Sequence, residues 1–270
     1  MNIIITAGGT TEKIDDVRSI SNSSTGRLGS AIAQAFIKSD NFSGCTIYYI
    51  CGQNAVVPPS DKITPIRIGG VGELVSQIEN IMAAEEIDIF IHSMAVSDYT
   101  VKSVTTKNRI QDSIKSFFDG KASGGYGHRQ DSSGELAAGI LSAAFDGTSP
   151  LNSSGKISSD MEDLIIEMKR TPKVIGMIKK LCPQVLLVGF KLLSSVDRET
   201  LIDVAYDLLK KNSCDLVLAN DLAQITKDRH TGYLISEDKS YERLETKEEI
   251  ALAVVNRVTV LLSERNKERK

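Results

Sequence analysis

Short apolar runs rich in Ile and Val alternate along this chain with longer stretches in which apolar residues recur at helical spacing. This is the pattern of βα units around a buried parallel sheet. Asn2 to Thr6 reads as a first strand, and Leu28 to Phe36 as a helix whose Leu28, Ile32, Ala35 and Phe36 share one face. Cys45 to Ile50 is a second strand. Glu73 to Ala84 carries Leu74, Ile78, Ile81 and Met82 at helical spacing, and Ile87 to Ile91 is a strand that runs into His92-Ser-Met-Ala-Val-Ser-Asp-Tyr99. The alternation resumes with a strand at Asp163 to Met168, a helix opened by Pro172 and reaching Lys180, and a strand at Val185 to Gly189. A helix with Leu201, Val204, Ala205, Leu208 and Leu209 on its apolar stripe and a strand at Asp215 to Ala219 follow. Tyr233 to Ser236 and Tyr241 to Leu244, split by a charged turn, form an edge hairpin. A last helix starts after Thr246, with Glu249 at the capping-box position and Ile250, Val254, Val258 and Leu261 facing the sheet.

One stretch breaks this rhythm. Val101 to Ser159 is rich in Ser, Gly and Lys, with weak helical patches at Ile110 to Phe118 and Leu136 to Phe145. It reads as an insertion after the carboxyl end of a strand, where open α/β sheets bind ligands, and so is placed to act as a lid or an oligomer arm. The chain is thus expected to be one α/β domain over 1–270, with an insertion at about 100–160.

Composition narrows the function. Hydrophobic residues at 41% and charged residues at 25% exclude a disordered or fibrous class. A net charge of -3, with Lys and Arg scattered among acids, gives no basic field for nucleic acid. The tail around Arg265, Lys267, Arg269 and Lys270 is interleaved with Glu264 and Glu268 and reads as a solvated helix end. Cys45, Cys51, Cys182 and Cys214 lack CxxC spacing, and His92, His128 and His230 lie far apart, so no metal cage is indicated. The absence of a leader or a long apolar run leads to the expectation of a cytoplasmic protein without membrane contact.

Two glycine-bearing segments carry the chemistry. Thr6-Ala-Gly-Gly-Thr10 follows the first strand, where bare backbone N–H groups can approach a phosphate. Ile20-Ser-Asn-Ser-Ser-Thr-Gly-Arg-Leu-Gly29 offers hydroxyl donors and opens a helix whose N-terminus favours anions. A nicotinamide-dependent dehydrogenase of the short-chain type is one reading, because Tyr206 and Lys210 are spaced Tyr-x-x-x-Lys downstream of Ser194 and Ser195. Against it, the glycines do not match G-x-G-x-x-G, and the second strand ends in Ile50-Cys51-Gly52 without an acid for the ribose. A non-catalytic nucleotide-binding regulator is a third reading.

Six segments in order, Ala7-Gly-Gly-Thr10, Val17-Arg-Ser-Ile-Ser-Asn-Ser-Ser-Thr-Gly26, Ala95-Val-Ser-Asp-Tyr99, Lys156-Ile-Ser-Ser159, Val188-Gly-Phe-Lys191 and Ala219-Asn-Asp221, resemble the motifs of phosphopantothenate-cysteine ligases. They span nearly the whole chain, which is similar to the monofunctional members rather than to those with an added flavin decarboxylase domain. The resemblance implies a Rossmann-like, open, mostly parallel sheet flanked by helices, with an inserted lid and dimerisation segment, and a homodimer. It implies a two-step ligation. The carboxylate of 4'-phosphopantothenate attacks the α-phosphate of CTP, or of ATP, and releases pyrophosphate; the amine of cysteine then opens the acyl nucleotide to the amide and frees the nucleoside monophosphate. Mg²⁺ would accompany the triphosphate.

By matching position, the resemblance implies that Asn22 holds the acyl carbonyl and, with Lys156, serves catalysis. Arg18 would pair with the phosphate of phosphopantothenate and Ala95 would touch the same substrate. Gly8, Gly9, Thr10, Ser24, Gly26, Gly29, Ser93, Asp98, Lys156, Phe190, Lys191 and Asn220 would line the nucleotide. On the residues alone each keeps a plain alternative: a loop-fixing Asn, turn glycines, a core Phe, solvated Lys and Arg. His92 reads as a satisfied core residue.

Overall fold

A computed structural model of the chain describes residues 1–123, 132–146, 150–153, 155–226 and 229–268. His128, Arg269 and Lys270 lie outside the described residues.

In chain order the elements begin with β1 (Asn2–Ala7), β2 (Thr11–Lys13), β3 (Ser19–Ser21), α1 (Arg27–Lys38), β4 (Thr46–Gly52), β5 (Ile63–Ile68), α2 (Val71–Ala84) and β6 (Ile89–His92). Next come β7 (Tyr99–Thr106), α3 (Lys107–Ser123), α4 (Ser133–Phe145), β8 (Leu164–Arg170), α5 (Ile175–Leu181) and β9 (Leu186–Leu193). The chain closes with α6 (Arg198–Asn212), β10 (Leu216–Ile225), β11 (His230–Ile235), β12 (Tyr241–Leu244) and α7 (Lys247–Glu268). They fall into two compact units, one of Met1–Thr11, Ser21–Ser97 and Pro172–Lys270, the other of Glu12–Ile20 and Asp98–Thr171.

The first unit holds a sheet in the order β12-β11-β10-β9-β6-β1-β4-β5. The strands from β10 to β5 run parallel, and β11 and β12 add the antiparallel edge hairpin that the sequence indicated. Helices cover both faces. Ile3 and Ile5 of β1 pack with Ile32 and Phe36 of α1 and Val254 and Val258 of α7. Ile4, one residue out of phase, packs on the opposite face with Leu74 and Ile78 of α2 and Leu201 of α6. A strand buried on both faces reads as a continuous apolar run, which is why Asn2 to Thr6 was legible. Each such fully buried side chain contributes about 1.5–3 kcal/mol.

Helix ends follow local chemistry. Thr246 Oγ1 accepts the Glu249 N–H at 3.1 Å, as the capping box requires, while the Glu249 carboxylate accepts the N–H of Glu245, one residue earlier than that motif specifies. At the amino ends of the strands Asp215 accepts the Leu187 N–H at 2.7 Å and pairs with Lys179 and Arg265.

The second unit is built differently. β7 and β8 form an antiparallel ribbon, with Tyr99 opposite Arg170 and Thr106 opposite Leu164, and α3 packs against α4. Asp15 ties in the excursion 12–20. Its carboxylate accepts the N–H groups of Val17, Arg18 and Ile157 and the Nε and Nη2 of Arg18. These bonds to the charged form, the Arg18 guanidinium first among them, hold the Asp15 carboxyl well below its usual range.

Three differences from the sequence reading have physical reasons. The insertion expected at about 100–160 is wider, 98–171, and includes 12–20, because its strands seal against each other rather than against the large sheet. β8, read as a strand in the run of βα units, belongs to that ribbon. β5 carries no apolar run: only Ile63 and Ile68 of its six residues are buried, and Pro65 is tolerated because β5 is a sheet edge.

Candidate functional site

The site lies at the carboxyl ends of the parallel strands of the first unit. There the loops after β1 and β6 are laced together. Ala95 donates its N–H to the Gly8 carbonyl at 2.8 Å, and its carbonyl accepts the Thr10 N–H at 3.1 Å. Thr10 Oγ1 accepts the Ser97 N–H at 2.9 Å, and Ser93 Oγ donates to the Thr6 carbonyl at 2.6 Å. Asn22 joins the same lacing. Its N–H donates to the Thr10 carbonyl at 3.2 Å, and its Nδ2 donates to the Ala95 carbonyl at 3.0 Å. A Cβ on Gly9 would collide with the Asn22 carbonyl, so this close approach needs a glycine there.

From Asn22 the chain passes through Ser23, Ser24 and Thr25 to Gly26, which caps α1 with φ +70 and ψ 6. This left-handed conformation favours glycine. No side chain caps α1, so the N–H groups of Arg27, Leu28 and Gly29 are left for a ligand or water. The Ser23 to Thr25 loop borders two cavities. One, of about 440 Å³, runs from that loop past Ser93, Ala95, Phe190 and Asn220 to His230 and Lys247. The other, of about 340 Å³, is lined by Gly9, Asn22 and Ser24 and by Gly52 to Ala55, a turn whose carbonyls of Gly52, Gln53 and Ala55 all accept from Arg67 Nη1.

The structure therefore brings together Ser24, Gly26, Gly29, Ser93, Ala95, Phe190 and Asn220 on the larger cavity, and Gly9, Asn22 and Ser24 on the smaller. Gly8 and Thr10 act within the lacing. Phe190 and Leu192 line the larger cavity, whereas Lys191, between them on β9, does not. Arg18, Asp98 and Lys156 belong to the second unit. There Arg18 donates to Asp15 and to the Ile157 carbonyl at 2.8 Å, the Asp98 carbonyl accepts the Thr171 N–H, and Lys156 is exposed.

Thr25, expected as a hydroxyl donor, lines the larger cavity, whereas Arg27, Thr226, His230 and Lys247 were not expected there. Arg27 adjoins a motif already in hand. The others sit on the edge hairpin and its flanks, and no local signal in the sequence places them here. His230 is buried, its Nδ1 has no partner, and burial together with the charge of Lys247 pushes its pKa down to about 4. His92, in contrast, is a satisfied core residue: its Nδ1 lies 3.0 Å from Thr6 Oγ1, and burial pushes its pKa down to about 4. Tyr206 and Lys210 line neither cavity; the Tyr206 hydroxyl donates to the Glu237 carbonyl at 3.1 Å and Lys210 pairs with Glu237. That removes the residues on which a short-chain dehydrogenase would depend.

An open, mostly parallel sheet whose strand ends and uncapped helix meet at one cavity defines a ligand-binding α/β domain of the Rossmann-like class. The sequence profile of the DNA/pantothenate metabolism flavoprotein C-terminal domain matches residues 1–116 and 130–261, and the chain belongs to that family.

It is 28% identical over 251 residues to the coenzyme A biosynthesis bifunctional protein CoaBC of Thermococcus kodakarensis, a match covering 92% of this chain and 48% of that protein. The chain spans about half the length of such curated relatives. The crystal structure of the DNA/pantothenate metabolism flavoprotein from Streptococcus pneumoniae superposes with a TM-score of 0.76 at 32% identity, covering 97% of this chain and 99% of that one. A Cab2 mutant solved in complex with phosphopantothenate-cysteine superposes with a TM-score of 0.65 at 16% identity over 98% of this chain and 88% of its own, a likeness of fold. No helix among the described residues is long and apolar enough to cross a membrane.

Proposed function

We propose that this chain is a phosphopantothenate-cysteine ligase of coenzyme A biosynthesis, which activates 4'-phosphopantothenate as an acyl nucleotide with CTP, or with ATP in its place, and couples it to the amine of cysteine. The observation that carries the reading is the junction of Asn22 with Ala95 beside an uncapped helix N-terminus, in a chain of this family. The amides at the start of α1 and the hydroxyls of Ser23 to Thr25 suit phosphoryl oxygens. The Asn22 amide has a second N–H beyond the one given to Ala95, and it would stabilise the oxyanion formed when the amine attacks.

Activation is needed because a carboxylate has no good leaving group, and joining its oxygen to phosphorus provides one. The chain's own task is then positioning and charge neutralisation. Among the described residues no carboxylate lines the larger cavity, so Mg²⁺ would be held there by nucleotide oxygens, where it would offset their charge.

The test is pyrophosphate release with 4'-phosphopantothenate, Mg²⁺ and either CTP or ATP, with and without cysteine. Release that depends on phosphopantothenate is expected, and the faster nucleotide identifies the base. No release with either nucleotide refutes the reading. In the same assay Asn22→Ala should slow amide formation about 10²–10³-fold. Nucleotide binding should survive, because the Ala95 carbonyl keeps its bond from the Thr10 N–H; a loss of nucleotide binding would show that Asn22 only supports the loop.

A further inference from the structure

The turn that follows β4 is closed by the Ala55 N–H on the Gly52 carbonyl at 3.0 Å. Arg67 gathers the oxygens of this turn at one point. Its Nη1 lies 2.7 Å from the Gly52 carbonyl, 2.9 Å from that of Gln53 and 2.8 Å from that of Ala55. Three carbonyl dipoles aimed at one point repel one another, and a positive charge placed there replaces the repulsion with charge-assisted hydrogen bonds. Arg67 reaches the point because β5 pairs it with Cys51, one residue before the turn. Among the described residues Arg67 has no carboxylate partner, so its charge is committed to the turn.

The turn in its place holds the loop that leads into α1. The Val56 N–H donates to the Thr25 carbonyl at 3.0 Å, and the hydroxyl of buried Tyr49 donates to the Val56 carbonyl at 3.0 Å, with the Gly26 carbonyl 3.5 Å away. Ala55 fills the space beside two glycines: a Cβ on Gly8 would fall 2.6 Å from the Ala55 Cβ, and one on Gly26 would fall 3.0 Å from it. A Cβ on Gly52 would collide with the Gly9 carbonyl. The turn is therefore the wall against which both the Gly8-Gly9 loop and the Thr25-Gly26 entry to α1 are packed.

We propose that Arg67 is a positioning residue for triphosphate binding. Through the carbonyls of Gly52, Gln53 and Ala55 it fixes the turn that holds Thr25 and Gly26, and with them the start of α1, in the conformation that receives phosphoryl oxygens. The identity of the ligand rests on the ligase reading above. Arg67 lines neither cavity, so its effect passes through the turn rather than through contact with a ligand. It is exposed on an edge strand that Ile63 and Ile68 anchor, so its replacement leaves the fold intact.

The experiment compares wild type with Arg67→Met, which keeps the aliphatic stem and loses the donors, and Arg67→Lys, which keeps a charge. Amide exchange reads the turn, titration calorimetry with CTP and with ATP reads nucleotide affinity, and pyrophosphate release reads KM and kcat. In Arg67→Met the Val56 amide should exchange roughly tenfold faster, while amides of β1 and α7 keep their protection. Nucleotide Kd and KM should rise roughly tenfold, through loss of hydrogen bonds made by a charged group. kcat and the KM for phosphopantothenate should stay within about twofold of wild type, because a displaced phosphate loop weakens ground and transition states alike. Arg67→Lys should recover most of the loss, since the contact is one nitrogen on three carbonyls rather than a planar fork. Unchanged nucleotide affinity in Arg67→Met, weaker affinity without faster Val56 exchange, an equal loss toward phosphopantothenate, or an Arg67→Lys as weak as Arg67→Met overturns the proposal. Weaker nucleotide binding in Arg67→Met from a wild type that releases no pyrophosphate keeps the role of Arg67 and sinks the ligase. Release by wild type with an unchanged nucleotide KM in Arg67→Met does the reverse, and a wild type that binds neither nucleotide sinks both.

Discussion

Along β1 the three successive side chains of Ile3, Ile4 and Ile5 are fully buried, whereas along β8 no residue from Leu164 to Arg170 is buried. The first strand lies inside a sheet covered by helices on both faces. The second is half of a two-stranded ribbon. Among the described residues the apolar core of the second unit comes down to Val104, Ala144 and Ile157, and its order leans on polar ties: the Asp15 hub, the Thr100 hydroxyl on Glu12 at 2.6 Å, and Lys102 and Ser103 on Glu167. A short ribbon gains little from burial, so directed hydrogen bonds must fix its conformation. The difference teaches that the two units should fail under different insults.

The largest effect should come from the core of the first unit. Phe90→Ala empties a fully buried site on the central strand β6 and should cost about 3–5 kcal/mol, read as a lowered denaturation midpoint. A cost below about 1 kcal/mol would mean that the sheet core does not dominate its stability.

Acid should come next and should also strike the first unit. His92 titrates near pH 6.5 when unfolded, but its native pKa is pushed down to about 4 by burial. As pH falls below 6.5 the unfolded chain takes up a proton that the native state refuses, so stability is lost down to about pH 4, by roughly 3 kcal/mol. His92→Gln should flatten denaturation midpoints over that window. Asp15 has the opposite sign. Its native pKa lies below its unfolded value, so its contribution is present above about pH 4 and is lost only as pH falls through the lower native value.

The smallest and most local effect is expected from Asp15→Ala. The amides of Val17, Arg18 and Ile157, which donate to that carboxylate, should exchange roughly tenfold faster or more, while amides of β1 and β6 keep their protection. Uniform acceleration through β1 would show that the chain opens as one cooperative body, and the comparison would fall.

How far the sequence could be read follows the same division. The strands buried on both faces, β1, β6 and β9, and the striped helices α1, α2, α6 and α7 were legible, because burial on a regular element leaves a period in the sequence. On α1, Ile32 and Phe36 are fully buried as expected, and Leu28 and Ala35 pack at the margin. β5, β7 and the short β2 and β3 left no such trace, since their pairing relies on backbone hydrogen bonds that any polar side chain permits.

For the site, the sequence by itself determined the loop from Asn22 to Gly29 and the residues at the ends of β6, β9 and β10, because small residues and glycines after a strand mark where backbone must approach a ligand. Only the tertiary structure decided that His230 and Lys247 share their cavity. An antiparallel hairpin returns the start of β11 and the end of β12 to the carboxyl edge of the parallel strands, and that convergence is a property of sheet order rather than of any local run of residues.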